Sequence, residues 1–326
     1  MAKTIWRTSG GNGFLAGSFQ LGFYGETRGS VKQLVHDGDT INVASNTNFP
    51  VRFLGIDTPE ISFMDPVSGD FKKSDDPIFQ ELLATPFAEK FGGRLGFSNA
   101  LCDYIDTKAS PNGAVNHHEL AEAAEDKLED LIQSDLTAQG DDRDAFRFFT
   151  AFAYDALDFY GRLLCYLHLD QAGVAPADRK PSYNEQLLAS GLASPYFIFP
   201  NVDPFRAKGS PVDAAFDAGS PQSILSRAPK LRTARQVVKA ARDAELGIFN
   251  PGSLLLFEAF ELRYLARHTP PSRWVIDLSG DDRVLYHPQT YFQIPNPEDR
   301  LWVPAEFVPL FETAGWFLGA TPNDYA

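Results

Sequence analysis

The sequence predicts an α+β fold, and three observations predict it. Two short runs, 40–43 and 51–56, alternate polar and apolar residues as half-buried strands do. A later run, 163–169, is largely apolar and bounded by turn residues, which also reads as a strand. Apolar stripes at helical spacing occupy 116–136 and 232–246.

Taken in order, residues 1–30 are rich in Gly and Ser and read as an arm, with Phe19 to Phe23 as an extra strand. In the 51–56 run, alternation puts Arg52 on the face opposite Val51 and Phe53. Asp57, Thr58, Pro59 and Glu60 then leave that strand in a proline-containing turn. From 61 to Pro111 the chain reads as irregular, with Pro66, Pro77 and Pro86 and helical turns near 78–83. Leu120, Ala124, Leu128, Leu131 and Ile132 make the stripe of the 116–136 helix, with Asn116 and Glu119 as its capping pair. Glu122, Glu125, Asp126, Glu129 and Asp130 form its solvated face. A second helix, aromatic-rich, is expected over 144–157. The 184–193 segment reads as a helix ended by Gly191 in a left-handed cap. Residues 201–225, with Pro204, Pro211 and Pro221, read as a surface loop. The 232–246 helix turns Ala234, Val237, Val238 and Ala241 inward and carries Arg232, Arg235, Lys239 and Arg242 on another face. A helix over 254–266, a strand over 274–278 and a turn at 280–282 follow, in a tail rich in aromatics such as Tyr286, Tyr291, Trp302 and Trp316.

Four motifs carry a family resemblance. They are Asp37-Gly38-Asp39-Thr40, then Arg52 followed five residues later by Asp57-Thr58-Pro59-Glu60, then Tyr160-Gly161-Arg162, then the run from Asn184 to Ala193. Each is weak alone; in this order and spacing they resemble the staphylococcal nuclease (thermonuclease) family over roughly half of the chain. The resemblance implies a five-stranded OB-type β-barrel with packed helices. That places a nuclease-like domain over 31–251 with an acidic insertion at about 63–115, and a C-terminal α/β extension over 252–326. It also implies a calcium-dependent nuclease that cleaves DNA or RNA with little sequence preference and leaves 3′-phosphate ends.

The site follows from the same residues. Asp39 and Asp57, with the main-chain carbonyl of Thr58, are expected to hold a hard divalent ion, Ca²⁺ by resemblance, with Mg²⁺ or Mn²⁺ equally open to oxygen ligands. Glu60 is the expected general base, and Arg52 and Arg162 the bidentate grip on the phosphate. Substrate contacts are expected from Tyr160, Tyr196, Phe197, Phe199, Arg235 and Lys239. Phe197 and Phe199 stand where the family has tyrosines, and Phe159 where it has a lysine. A phenyl face keeps base stacking and loses the hydroxyl hydrogen bonds.

A net charge of −14 is unusual for a nucleic-acid enzyme. It is concentrated: between Ile61 and Asp158 lie 20 Asp or Glu against 8 Lys or Arg. An acidic insertion between the two halves of the site is therefore expected to control access or dock a partner, and the aromatic tail to carry a homo-oligomer or protein contact. Cys102 and Cys165 make no disulfide framework. The adjacent His117 and His118 are spaced wrongly for helical metal ligands. No membrane span is present in the sequence, and Met1–Arg7 leads into a Gly-rich segment, so a cytoplasmic location is expected, with secretion after signal removal as the alternative. The competing functional expectations are a non-catalytic nucleic-acid or protein-binding module, or a nuclease effector gated by a partner.

Overall fold

In a computed structural model of the chain, the described residues are 3–8, 15–25, 27–37, 40–45, 47–203, 210–216 and 219–322. They form an α+β structure whose strands make several small sheets. No closed barrel is found among them. The chain divides into two compact units, one of Met1–Phe53 with Asp155–Cys165, the other of Leu54–Tyr154 with Tyr166–Ala326.

The first unit is built from short pairings. Ile5–Arg7 pairs antiparallel with Leu15–Gly17, Gln20–Leu21 with Val43–Ala44, and Val35–Asp37 with Thr40–Ile41 across a register irregularity. Val51–Phe53 runs parallel to Leu163–Cys165, the first part of the Leu163–Leu169 strand. The tight turn before that strand is held by Asp158, whose Oδ1 accepts from the main-chain N–H groups of Tyr160 at 2.8 Å and Arg162 at 2.9 Å.

The second unit centres on a four-stranded sheet in the order Trp274–Asp277, Arg300–Val303, Ser194–Ile198, Gly55–Asp57. Of the residues expected to form an appended tail, Arg300–Val303 therefore lies inside the sheet and Trp274–Asp277 at its edge. Arg300–Val303 is buried throughout, which its run Arg-Leu-Trp-Val allows only because Arg300 is ion-paired to Glu258 at 2.7 Å. The main core joins the two segments read as additions to the fold. Phe79, Leu82, Leu101 and Ile105 pack with Phe257, Leu262, Tyr291 and Trp302. The irregular stretch before Pro111 also forms two helices, Pro77–Ala84 and Asn99–Lys108, each N-capped by a side chain, Asp76 and Ser98.

Three further expectations are corrected. The long acidic helix runs Gly113–Ala138 with Asn112 as its N-cap, so Asn116 lies inside it and donates instead to the Ser253 carbonyl at 3.1 Å. Its five acidic face residues are exposed, as expected. The aromatic segment at 144–157 is not helical: Phe148–Ala151 is a strand antiparallel to the Leu163–Leu169 strand. Aromatics and Thr150 fit a pleated, half-exposed surface better than a helix, and Phe148 and Phe149 remain exposed. Residues 210–227 hold two helices, Pro211–Phe216 and Pro221–Arg227, because a proline at the first turn starts a helix as readily as it breaks one. No helix among the described residues is long and apolar enough to cross a membrane.

The cap at Gly191 is as expected. The helix Tyr183–Ala189 begins with a Ser182–Glu185 capping box and ends before Gly191 at φ 68°. A Cβ there would collide with the main chain of Leu246, while the Gly191 carbonyl accepts from Ile248 N–H at 2.7 Å. Gly191→Ala is expected to cost roughly 1–3 kcal/mol for the backbone conformation alone, with the collision adding to it. Urea unfolding of the variant against the parent chain measures this; an unchanged midpoint contradicts it.

Candidate active site

Asp57 ends the Gly55–Asp57 strand, opposite Ser194 in the antiparallel register. Its side chain is 1% exposed. An ionised carboxylate at that depth needs a partner. Arg263 supplies it from the helix Ala259–Ala266. Arg263 Nη2 donates to Asp57 Oδ2 at 2.6 Å and Nη1 to Oδ1 at 3.1 Å, a fork on the carboxylate. The same Nη1 also donates to Glu60 Oε1, three residues on, across the irregular Thr58-Pro59 segment rather than the expected turn. Burial pulls the Arg263 pKa down; the Asp57 carboxylate, with help from Glu60, more than offsets this and holds it above the ordinary value.

His117 completes the surroundings. It is buried on the Gly113–Ala138 helix, and its Nε2 accepts from the main-chain N–H of Glu60 at 3.0 Å. A ring nitrogen that accepts is unprotonated, so the neutral ring carries its proton on Nδ1. Burial pushes its pKa down to about 4, against upward pulls from the Phe257 main chain and Asp57; Arg263 and His118 add to the depression. His118, next to it, bonds Ser74 Oγ through Nδ1 at 2.9 Å. His117 thereby fixes the segment that follows Asp57, and His118 holds Ser74.

The other expected residues are distributed as follows. Asp39 lies outside the described residues. Arg52 and Arg162 both belong to the first unit; the parallel register pairs Arg52 with Leu164, which sets it diagonal to Arg162 at the head of the adjoining strand. Arg162 Nε donates to Asp158 Oδ2 at 2.6 Å, and its guanidinium lies 5.4 Å from the Tyr160 ring centre. Tyr160 is exposed. Asp57, Thr58 and Glu60 belong to the second unit.

Five of the expected substrate contacts are corrected or already engaged. Phe197 and Phe199 are buried, Phe199 edge-on to Phe307 and Phe311, so neither presents a ring face to a base. Phe197 lies in the Ser194–Ile198 strand, which has another strand on each edge, and Phe199 follows directly after it. Arg235 is ion-paired to Asp299 and its Nε donates to the Glu298 carbonyl at 3.1 Å. Lys239 is ion-paired to Asp243 one turn on. Tyr196 is half-buried, stacked on Phe260, with its hydroxyl accepting from Arg273 Nη1 at 3.0 Å.

Asp57 and Glu60 offer the hard oxygens that a divalent ion prefers. As arranged they do not fit one, because both oxygens of Asp57 and Oε1 of Glu60 are already held by Arg263. Among the described residues no group of three or more His, Cys, Asp or Glu side chains is gathered for a metal. Arg263 is the residue that sequence reasoning missed. Its signal was present: a single arginine in Ala-Phe-Glu-Leu-Arg-Tyr-Leu-Ala, a helix apolar enough to be buried, demands a buried acid.

The family resemblance rests on motif order alone. No family model, curated protein or solved structure matches this chain.

The His117 environment makes stability pH-dependent. Its folded value of about 4 lies below the usual 6.5, so the unfolded chain binds a proton that the folded chain refuses. That contribution is full above pH 6.5 and is lost as pH falls toward 4, by up to about 3 kcal/mol. Urea unfolding between pH 7.5 and 4.5 checks it. His117→Gln, which keeps an acceptor for Glu60 N–H, is expected to flatten this part of the profile.

Proposed function

We propose that this chain hydrolyses phosphodiester bonds of DNA or RNA in the manner of the staphylococcal nuclease family, with 3′-phosphate products. The observation that supports this best is the convergence of the Asp57 and Glu60 carboxylates on one cationic nitrogen. Two acids from a strand end and the segment after it, directed at one point, form a site for positive charge beside a potential base. Glu60 takes the proton of the attacking water as the new O–P bond forms; the bond to the 5′-oxygen breaks, and that oxygen takes up a proton from solvent water to leave as the hydroxyl. By the family resemblance alone, Arg52 and Arg162 are assigned the grip on the phosphoryl oxygens as charge builds there. By the same resemblance Tyr160, which is exposed, is assigned a substrate contact. An OB-type barrel belongs to the same reading. Calcium was the expected cofactor; since the carboxylates do not fit a divalent ion while Arg263 holds them, no step is assigned to one.

A second reading, a binding module or a nuclease gated by a partner, is favoured by one observation. Glu60 Oε1 is ion-paired, so its carboxylate must give up part of that contact before it acts as a base.

Cleavage of single- and double-stranded DNA and of RNA by the purified chain, with Ca²⁺, with Mg²⁺ and with chelator, tests the proposal. Glu60→Gln, Arg52→Ala and Arg162→Ala are each expected to lose roughly 10²-fold or more in rate. With so acidic a chain, cleavage is also expected to fall steeply between low and physiological salt. No cleavage under any of the three ionic conditions overturns the catalytic reading in favour of the second.

A further inference from the structure

We propose that Arg263 is the resident cation of the Asp57–Glu60 pair: it fills the place a divalent ion would take, and the pair binds a metal only once that guanidinium is removed. The inference takes its site from the hydrolytic reading, but it is decided by metal uptake rather than by cleavage.

Three features carry it. The first is geometry. Arg263 makes three hydrogen bonds to the two carboxylates and uses both oxygens of Asp57. A calcium ion needs six to eight oxygens at roughly 2.3–2.6 Å. It cannot draw on oxygens that a guanidinium already covers without placing two cations against each other.

The second is charge at depth. Asp57 is 1% and Arg263 20% exposed. A bidentate ion pair this far from water is strongly held, and removing either partner leaves a buried charge uncompensated. An incoming ion would have to meet an Asp57 already exposed by the departure of Arg263.

The third is the mounting of the helix. Every other residue of Ala259–Ala266 is buried, so the helix is fixed in the core rather than laid on the surface. Its N-cap Glu258 is ion-paired to Arg300 at 2.7 Å. Glu261 accepts from Lys108 Nζ at 2.5 Å and from the Tyr291 hydroxyl at 2.6 Å. The helix therefore has no route by which to withdraw Arg263, and only rotation of the side chain, against its three hydrogen bonds, would free the acids.

Calorimetric titration of Ca²⁺ into the full chain tests this, with thermal unfolding followed in parallel. Four proteins are compared: the parent chain, Asp57→Asn, Arg263→Met and the double variant. The parent and Asp57→Asn are expected to take up Ca²⁺ alike, up to about 10 mM, above the roughly 10⁻³ M dissociation constants of weak calcium modules. Arg263→Met is expected to gain one Ca²⁺ site and a Ca²⁺-dependent rise in Tm, both lost in the double variant. Calcium uptake by the parent that weakens tenfold or more in Asp57→Asn overturns the proposal, as does a folded Arg263→Met that gains no site. If Arg263→Met or Asp57→Asn does not fold, the parent and Glu60→Gln decide: equal uptake supports the proposal, and a tenfold loss in Glu60→Gln refutes it. A chain that cleaves nothing yet behaves in this way loses the hydrolytic reading and keeps this one.

Discussion

One guanidinium between two carboxylates governs how the second unit is put together. Asp57 ends the edge strand of the four-stranded sheet, and Glu60 follows in the segment beyond it. Arg263 belongs to a helix far along the chain. Their contact ties the sheet edge, the segment after it and that helix at one point, with His117 closing the far side through the Glu60 amide. The cost of burying Asp57 is met by this partner from a distant part of the chain. Any chemistry at this point must work against the same contact.

The helix that presents Arg263 depends on a second buried polar network. Glu258, Glu261, Lys108, Arg300, Tyr264 and Tyr291 satisfy one another with few water-facing atoms. Burial raises the Tyr291 pKa well above its ordinary value, with the Glu261 charge adding to it, so the hydroxyl stays protonated and donates. The network joins Asn99–Lys108, Ala259–Ala266 and Arg300–Val303, three elements from segments that share no sequence neighbourhood. Networks of this kind are costly if one member is lost and specify one arrangement when complete.

Much of the local structure was legible in the sequence. The Leu163–Leu169 strand, the long acidic helix, the basic helix and the Gly191 cap all follow from periodicity and capping chemistry, which act within a few residues. The strand run leading to Asp57 was legible for the same reason, whereas residues 58–60, read as a turn, follow it as irregular chain. What escaped was set by partners distant in sequence. Residues 144–157 read as an aromatic-rich helix, but pairing with the Leu163–Leu169 strand makes Phe148–Ala151 a strand. Arg235 reads as a free cation on a helix face until Asp299 is brought beneath it. Phe197 and Phe199 read as exposed rings until distant parts of the chain pack over them, as Phe307 and Phe311 do on Phe199. Arg263 was hidden most fully, since nothing local distinguishes a buried arginine from a surface one except the apolar company it keeps.

The place of Arg300–Val303 in the sheet bears on how the protein is made. It lies between Trp274–Asp277 and Ser194–Ile198, so the latter strand keeps one bare edge until Arg300 arrives. Roughly 100 residues separate them, which at ~5–20 residues per second leaves that edge uncovered on the ribosome for roughly 5–20 s. A nascent chain with an unpaired apolar strand is a template for pairing with its neighbours on a polysome. Synthesis of this unit thus has an exposed interval in its second half, and chaperone demand should be greatest there rather than at the N-terminus.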